Sequence, residues 1–310
     1  YGLVGSEMCI RDRKKLSGIV VPVVTPLTED DKVDAESLEN LVEHCIKGGL
    51  QAIYPCGTTG EMMYLTVEER KLVAETVIRR TAGRVPVYVH VGGWNLKDTV
   101  ELAKHAVEAG ADGIAVVTPS FFKISEDGLV DFFVSVAKSV PEDFPVYLYA
   151  IPQYAMNDIS VAAAEKAAAQ CPNIIGIKYS YPDMTRIQQM MRISDGTFSV
   201  LAGPDQLLTA VVSMGGDGVV SGSSQVIPEY YEAVWEALEK NDYKLAAERQ
   251  QLTNRLNEAL CSVNNIAAYK AVLAYQGIIK TKKTRKPLEE YTEQQTRELF
   301  RVLKEIVKEK

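Results

Sequence analysis

The chain has 310 residues, 46% apolar, 24% charged and 8% aromatic, with 34 Lys and Arg against 41 Asp and Glu for a net charge of −7. That balance describes a globular protein with a full core, not a disordered chain. It also argues against a nucleic-acid protein, which would need a basic stripe, because no Lys/Arg block occurs between Leu16 and residues 280–286. The longest apolar runs, such as residues 18–24, fall far short of the ~20 residues of a membrane helix.

In chain order, residues 1–13 come first. They begin with Tyr1 and show neither an apolar core nor a helical period, whereas a secretory signal carries about 7–15 apolar residues in a row. This stretch, ending Glu7-Met8-Cys9-Ile10-Arg11-Asp12-Arg13, reads as translated adapter sequence outside the fold and is expected to be disordered.

From Lys14 onward a short β-branched run ends in Gly, Pro, Ser or Thr, an amphipathic stretch follows, and the pattern repeats. The spacing predicts strands beginning near Ile19, Ala52, Val87, Ile114, Val146, Ile174, Ser199 and Gly218, on average about 28 residues apart, the size of a βα unit. Residues 114–117 and 174–177 do not alternate with polar residues, which marks strands buried on both faces. Between residues 34 and 48, Leu38, Leu41, Val42, Cys45 and Ile46 share one helical face. Thr66 and Glu69 have capping-box spacing, and Gly48-Gly49, Gly110 and Gly215-Gly216 stand where helices must stop. Eight such units predict a (β/α)8 barrel over residues 14–240, with its active site at the carboxyl ends of the strands. After about Asn241 the strand signals cease. Residues 242–260, 266–275 and 292–308 read as helices of a C-terminal helical region, 241–310, with the basic stretch 280–287 as a solvated turn.

The chemistry is then a question of which reactive groups fall at strand ends. After the second strand comes Pro55-Cys56-Gly57-Thr58-Thr59-Gly60-Glu61. Two glycines around two hydroxyls allow a turn that presents N–H groups and Oγ atoms together, a nest for a carboxylate or phosphate; many such turns hold no ligand. No Gly-Lys-Ser/Thr follows, so the nucleotide-loop patterns do not match. The fifth strand ends in Tyr147-Leu148-Tyr149-Ala150-Ile151-Pro152 and the sixth in Gly176-Ile177-Lys178. A lysine closing an apolar strand sits among dry walls, where desolvation lowers its pKa and leaves some of the amine nucleophilic, as imine formation requires. Alone it would read as a lysine snorkelling to solvent. Combined with the nest and a tyrosine, it reads as a site for one small oxo acid.

These three motifs, in this order, resemble the dihydrodipicolinate synthase/N-acetylneuraminate lyase family. The resemblance runs from about Leu16 to about Leu303, through Gly203-Pro204-Asp205 and Gly215-Gly216-Asp217-Gly218. It implies a homotetrameric barrel, a dimer of dimers, that forms a Schiff base with pyruvate or another 2-oxo acid and makes or breaks a carbon–carbon bond. Under the resemblance Lys178 is the imine-forming lysine and Tyr149 the proton shuttle. Gly57, Thr58 and Thr59 hold the oxo-acid carboxylate, the Thr58 hydroxyl also relays protons to Tyr149, and backbone at Val220 lines the pyruvate end.

Departures from the family pattern bear on substrate. Synthases carry an Arg two residues after the Pro of the Tyr-x-x-Pro segment, and this chain has Tyr154 there. Synthases also lend a Tyr across the dimer interface; Pro119-Ser120-Phe121-Phe122 puts Phe121 at that place, which has no hydroxyl to complete the relay. Sialic-acid lyases hold a polyol tail with a hydroxyl after the lysine and an Asp-Glu pair after strand seven. Ser180 and Asp205-Gln206 match these in part, while Gly222 replaces a Ser.

The reading is a cytoplasmic lyase or aldolase, without metal or organic cofactor, that cleaves a sugar-derived 2-oxo acid to pyruvate and an aldehyde. The alternatives within the family are 4-hydroxy-tetrahydrodipicolinate synthase and a 2-oxo acid dehydratase. The alternative of another class is an oxo-acid sensor without turnover, against which the retention of Lys178, Tyr149 and both threonines speaks. His90 ends the third strand while His44 and His105 lie on helices, a spacing that does not suit a metal-dependent aldolase. Five cysteines, with no Cys-x-x-Cys pair, read as reduced thiols in the core. Trp94 either lines the site or packs in the core or an interface.

Overall fold

The computed structural model describes residues 15–261 and 265–308. The expectation for residues 1–13 lies outside them. Eight parallel strands run β1 (Gly18–Val21), β2 (Ala52–Ile53), β3 (Tyr88–His90), β4 (Gly113–Val117), β5 (Val146–Ala150), β6 (Ile174–Tyr179), β7 (Ser199–Ala202) and β8 (Gly218–Val220). Their hydrogen-bonded order is β2-β1-β8-β7-β6-β5-β4-β3. At the seam Ile53 bridges to Val87, and the N–H groups of Ile53 and His90 donate to Pro86 and Pro55 carbonyls at 2.9 and 3.0 Å. The sheet thus comes round on itself as the expected (β/α)8 barrel. β1, β3 and β4 each begin one residue from the expected position.

Among strand residues all but Ile175 are buried, as strands enclosed by helices require. Period-two alternation sends Val20, Tyr88, Tyr147 and Leu201 into the barrel and their neighbours against the outer helices. Tyr147 fills the lower barrel: its ring meets Tyr88 edge-on at 5.4 Å, and its hydroxyl donates to Ser199 Oγ at 2.8 Å while accepting from Leu16 N–H at 2.9 Å. Gly176 is fixed by this packing, because a Cβ there would fall 2.7 Å from the Ser199 carbonyl.

The outer helices begin and end as their sequences dictate. In Ala35–Lys47 the residues Leu38, Leu41, Val42 and Cys45 are buried against the sheet. Val67–Thr81 starts at Thr66 with both halves of the capping box formed. Gly49, Gly110 and Gly215 all take positive φ just past helix ends, where a side chain would be strained.

Pro228–Glu239 follows β8 and packs against Tyr243–Leu260; Asn265–Tyr275 and Glu293–Lys308 complete the chain. The basic stretch is not a free solvated turn. Lys280 pairs with Glu36, Lys282 with Glu293, and Arg285 with Glu69 at 2.8 Å. One further expectation needs correction. Cys261, at the end of Tyr243–Leu260, is exposed, whereas Cys45, Cys56 and Cys171 are buried. Of the places open to Trp94, the core is excluded by its 66% exposure.

Candidate active site

In the β5–β6 register Tyr149 stands directly opposite Lys178. Both side chains therefore enter the barrel at one height, a layer above Tyr147 and Gly176. The Lys178 Nζ lies 4.1 Å from the centre of the Tyr149 ring and 4.9 Å from that of Tyr54. Lys178 is only 6% exposed, and burial brings its pKa down to about 7 against the opposing pull of the Asp205 charge. A substantial neutral fraction near pH 7 is the state an attacking amine needs. The Tyr149 hydroxyl lies 3.1 Å from Thr58 Oγ1. Burial raises its pKa to about 12, with the Thr58 and Ser180 hydroxyls working the other way.

The Gly-Thr-Thr-Gly turn is bracketed by two non-glycine residues in the left-handed region, Cys56 (φ +62°) and Glu61 (φ +61°). Such conformations cost on the order of 1–3 kcal/mol each and persist only where the surroundings impose them. Here the Cys56 thiol donates to the Arg70 carbonyl at 3.4 Å and the Thr25 hydroxyl to the Gly60 carbonyl at 2.8 Å. Gly57 must lack a side chain, since a Cβ would meet the Tyr54 ring at 2.9 Å. Within the turn Gly60 N–H donates to Gly57 O and Glu61 N–H to Thr58 O, at 3.0 and 3.1 Å. The N–H groups of Thr58 and Thr59 have no acceptor among the described residues. That is the open nest an anion would fill.

His90 is wholly buried and works as a strut. Its Nδ1 lies 2.9 Å from the Cys56 carbonyl, its Nε2 accepts from Val117 N–H at 3.3 Å, and its ring meets Tyr149 edge-on at 5.8 Å. Burial, with the Arg70 and Lys178 charges, holds its pKa well below the usual range. Arg70 in turn donates to the Gly92 and His90 carbonyls at 2.8 and 2.7 Å. Among the described residues no three His, Cys, Asp or Glu side chains converge as metal ligands.

The acceptor end differs from its sequence-based expectation. Asp205 is buried, and one carboxylate oxygen accepts from Ser221 Oγ and Tyr231 OH, both at 2.6 Å. Burial raises its pKa against those hydroxyls and the Lys178 charge. Asp205 thus already holds two internal donors on one oxygen, while Gln206, the other residue expected at the polyol end, is exposed. Ser180 is buried beside Tyr149, yet its Oγ completes no hydrogen bond; Gly203 makes its room, since a Cβ there would fall 2.5 Å from Ser180 Cβ. Val220 lines the barrel interior with Tyr54 and Leu201. Tyr154 and Phe121 are 70% and 72% exposed, Phe121 with φ +77° and its ring edge-on to Phe122.

Sequence reasoning missed Tyr54, whose ring floors the amine, and Gln153, whose amide donates to the Ser180 carbonyl at 2.8 Å. Extending the alternation from Ala52 would have turned Tyr54 inward. No local signal marks Gln153. It also missed Lys270, a lone charge in the otherwise apolar stretch 266–274, which is paired with Glu61.

A parallel eightfold barrel that gathers an amine, a phenol and two free backbone N–H groups at the carboxyl ends of its strands defines a class, the (β/α)8-barrel enzymes. The profile of the dihydrodipicolinate synthetase family matches residues 15–306, and the chain belongs to that family as a carbon–carbon lyase. It is 36% identical over 287 residues to the 4-hydroxy-tetrahydrodipicolinate synthase of Aquifex aeolicus, covering 93% of this chain and 96% of that one. It is also 36% identical over 234 residues to Escherichia coli K12 YagE, provisionally named a 2-dehydro-3-deoxy-D-gluconate aldolase, covering 74% and 77%. The solved structure of YagE in complex with pyruvate superposes with a TM-score of 0.89 at 31% identity, covering 94% of this chain and 99% of that one. The Aquifex aeolicus dihydrodipicolinate synthase structure gives 0.88 at 36%, covering 94% and 98%.

Proposed function

We propose that this lyase acts through a Schiff base between Lys178 and a 2-oxo acid, and that it cleaves a hydroxylated, sugar-derived 2-oxo acid to pyruvate and an aldehyde. The observation that carries the proposal is the dry amine at Lys178, with a pKa near 7, opposite a phenol that is itself hydrogen-bonded to the anion nest. The nest, through Thr58 and Thr59, holds the substrate carboxylate. Neutral Lys178 Nζ attacks C2, Tyr149 protonates the departing oxygen, and water leaves as the iminium forms. The iminium draws electrons from the breaking C3–C4 bond while the Tyr149 phenolate takes the C4 hydroxyl proton, with Thr58 as relay. The enamine is then protonated at C3 and hydrolysed to pyruvate, which frees the lysine.

Hydroxylated substrates are favoured because Tyr154 stands where a synthase keeps an Arg, so no guanidinium there offers a second carboxylate a charge-assisted pair. The similarity to YagE, provisionally named a 2-dehydro-3-deoxy-D-gluconate aldolase, supports the same reading. The second reading, condensation of pyruvate with aspartate semialdehyde, has the Aquifex aeolicus relative in its favour. The enzyme is further proposed to work in the cytoplasm as a homotetramer.

The deciding experiment has two arms. Borohydride with pyruvate should place a reduced pyruvyl group on Lys178, and peptide mass spectrometry finding it on another lysine, or nowhere, sinks the mechanism. A panel of 2-oxo-3-deoxy sugar acids should then release pyruvate faster than pyruvate condenses with aspartate semialdehyde; the reverse order makes the enzyme a synthase.

A further inference from the structure

Glu61 closes the Gly-Thr-Thr-Gly turn and is buried, with its carboxylate against the Lys270 ammonium; both side chains are completely shielded from solvent. Its other oxygen accepts from the Arg285 backbone N–H at 2.7 Å, and Lys270 Nζ donates also to the Lys283 carbonyl at 2.7 Å. Lys270 lies on Asn265–Tyr275, and residues 283–285 belong to the connection beyond that helix. The Arg285 side chain pins this connection to the barrel, reaching Glu69 at 2.8 Å and the Asp31 carbonyl at 3.0 Å. The strained end of the nest is therefore held by the C-terminal region through the Glu61 side chain, as well as by the barrel through Thr25 and Gly60.

The structure assigns Lys270 and Glu61 as positioning residues for the carboxylate nest: the C-terminal region sets the affinity for the oxo acid through this buried ion pair. This assignment rests on the proposed binding of the substrate carboxylate at Thr58 and Thr59.

Two physical effects act together. Glu61 N–H donates to Thr58 O and Tyr64 N–H to Glu61 O, at 3.1 and 2.9 Å, so the Glu61 backbone and the nest move as one piece. Fixing the Glu61 carboxylate thereby aims the free N–H groups of Thr58 and Thr59. The second effect is charge. An unpaired carboxylate two residues from an anion site in a dry interior would repel the substrate carboxylate, because Coulomb interactions there are poorly screened. Lys270 cancels that charge. Neither residue touches the reacting atoms, so binding suffers while the chemistry at Lys178 does not.

The test is the rate of borohydride trapping against pyruvate concentration in the full-length enzyme. In Lys270→Met the pyruvate concentration at half-saturation should rise about tenfold or more, while the saturating rate stays within about twofold; Lys270→Arg, which keeps the cation, should restore most of the affinity. A merely structural role would lower the folded fraction, and with it the amplitude, without moving half-saturation. Should Lys270→Met not fold, Lys270→Gln carries the same measurement, since it too removes the cation and leaves the Glu61 carboxylate uncancelled. Parental half-saturation in the folded variant overturns the assignment. Failure of the parent enzyme to trap pyruvate on Lys178 overturns instead the reading on which it rests.

Discussion

At the scale of single residues the decisive quantity is the desolvation of Lys178. An amine with a pKa of 10.5 in the unfolded chain and about 7 in the fold binds more protons unfolded between those values, so stability rises with pH across that window. The cost of burial is complete below about pH 7 and has vanished above the unfolded pKa. Lys178→Met should therefore stabilise the protein, and the gain at pH 6 should exceed that at pH 9 by about 3 kcal/mol; thermal unfolding at the two pH values checks this, and equal gains would refute the dry amine. Asp205 acts on the same group. Its charge raises the Lys178 pKa, so Asp205→Asn, which keeps an acceptor for Ser221 and Tyr231, should move the pH midpoint of pyruvate trapping downward. An upward or absent shift would show that Asp205 does not act on the amine.

Elements determine how these residues meet. The β5–β6 register alone sets Tyr149 against Lys178, since a slip of one residue would turn either side chain out of the barrel. The β2 turn is built to tighter tolerance. Gly57→Ala drives a Cβ to 2.9 Å from the Tyr54 ring and should raise the pyruvate concentration at half-saturation by about tenfold or more, as small displacements of a binding group do. Thr66→Ala, nine residues on, removes only a helix cap. It should cost about 1 kcal/mol of stability and leave pyruvate binding unchanged. Denaturant melts and trapping curves on the two variants separate nest from scaffold, and a binding defect in Thr66→Ala would blur that distinction.

For the whole molecule, the barrel puts every reactive group at one end and leaves the opposite end to packing residues such as Tyr88 and Tyr147. The loop after β4 projects Phe121 and Phe122 at 72% and 70% exposure, yet Asn157 anchors it, donating to the Pro119 and Phe122 carbonyls at 2.8 and 2.7 Å. A firmly held loop that presents two bare phenylalanines suits burial against another copy. Light scattering should give a mass of four chains, and Phe121→Asp should shift the population to smaller species; a monomeric parent enzyme would refute the proposed tetramer.

The order of the eight strands, their two-sided burial, the capping box and the three motifs follow from the sequence alone, because period, turn residues and caps are local properties read within a few residues. Lys178, Tyr149 and Thr58 were legible because each ends a recognisable strand or turn, and the fold needs only to close for them to meet. What the tertiary structure decided was non-local. Asp205 lies in a motif, but its internal donors come from elsewhere in the chain, Ser221 just past β8 and Tyr231 on Pro228–Glu239. The basic stretch looked solvated until Glu36, Glu69 and Glu293 were brought beside it. Glu61 and Lys270 are more than two hundred residues apart, and a charge buried in each becomes tolerable only when the chain folds one against the other. No spacing along the sequence encodes such a pairing; it exists because two desolvated charges have no cheaper partner within reach.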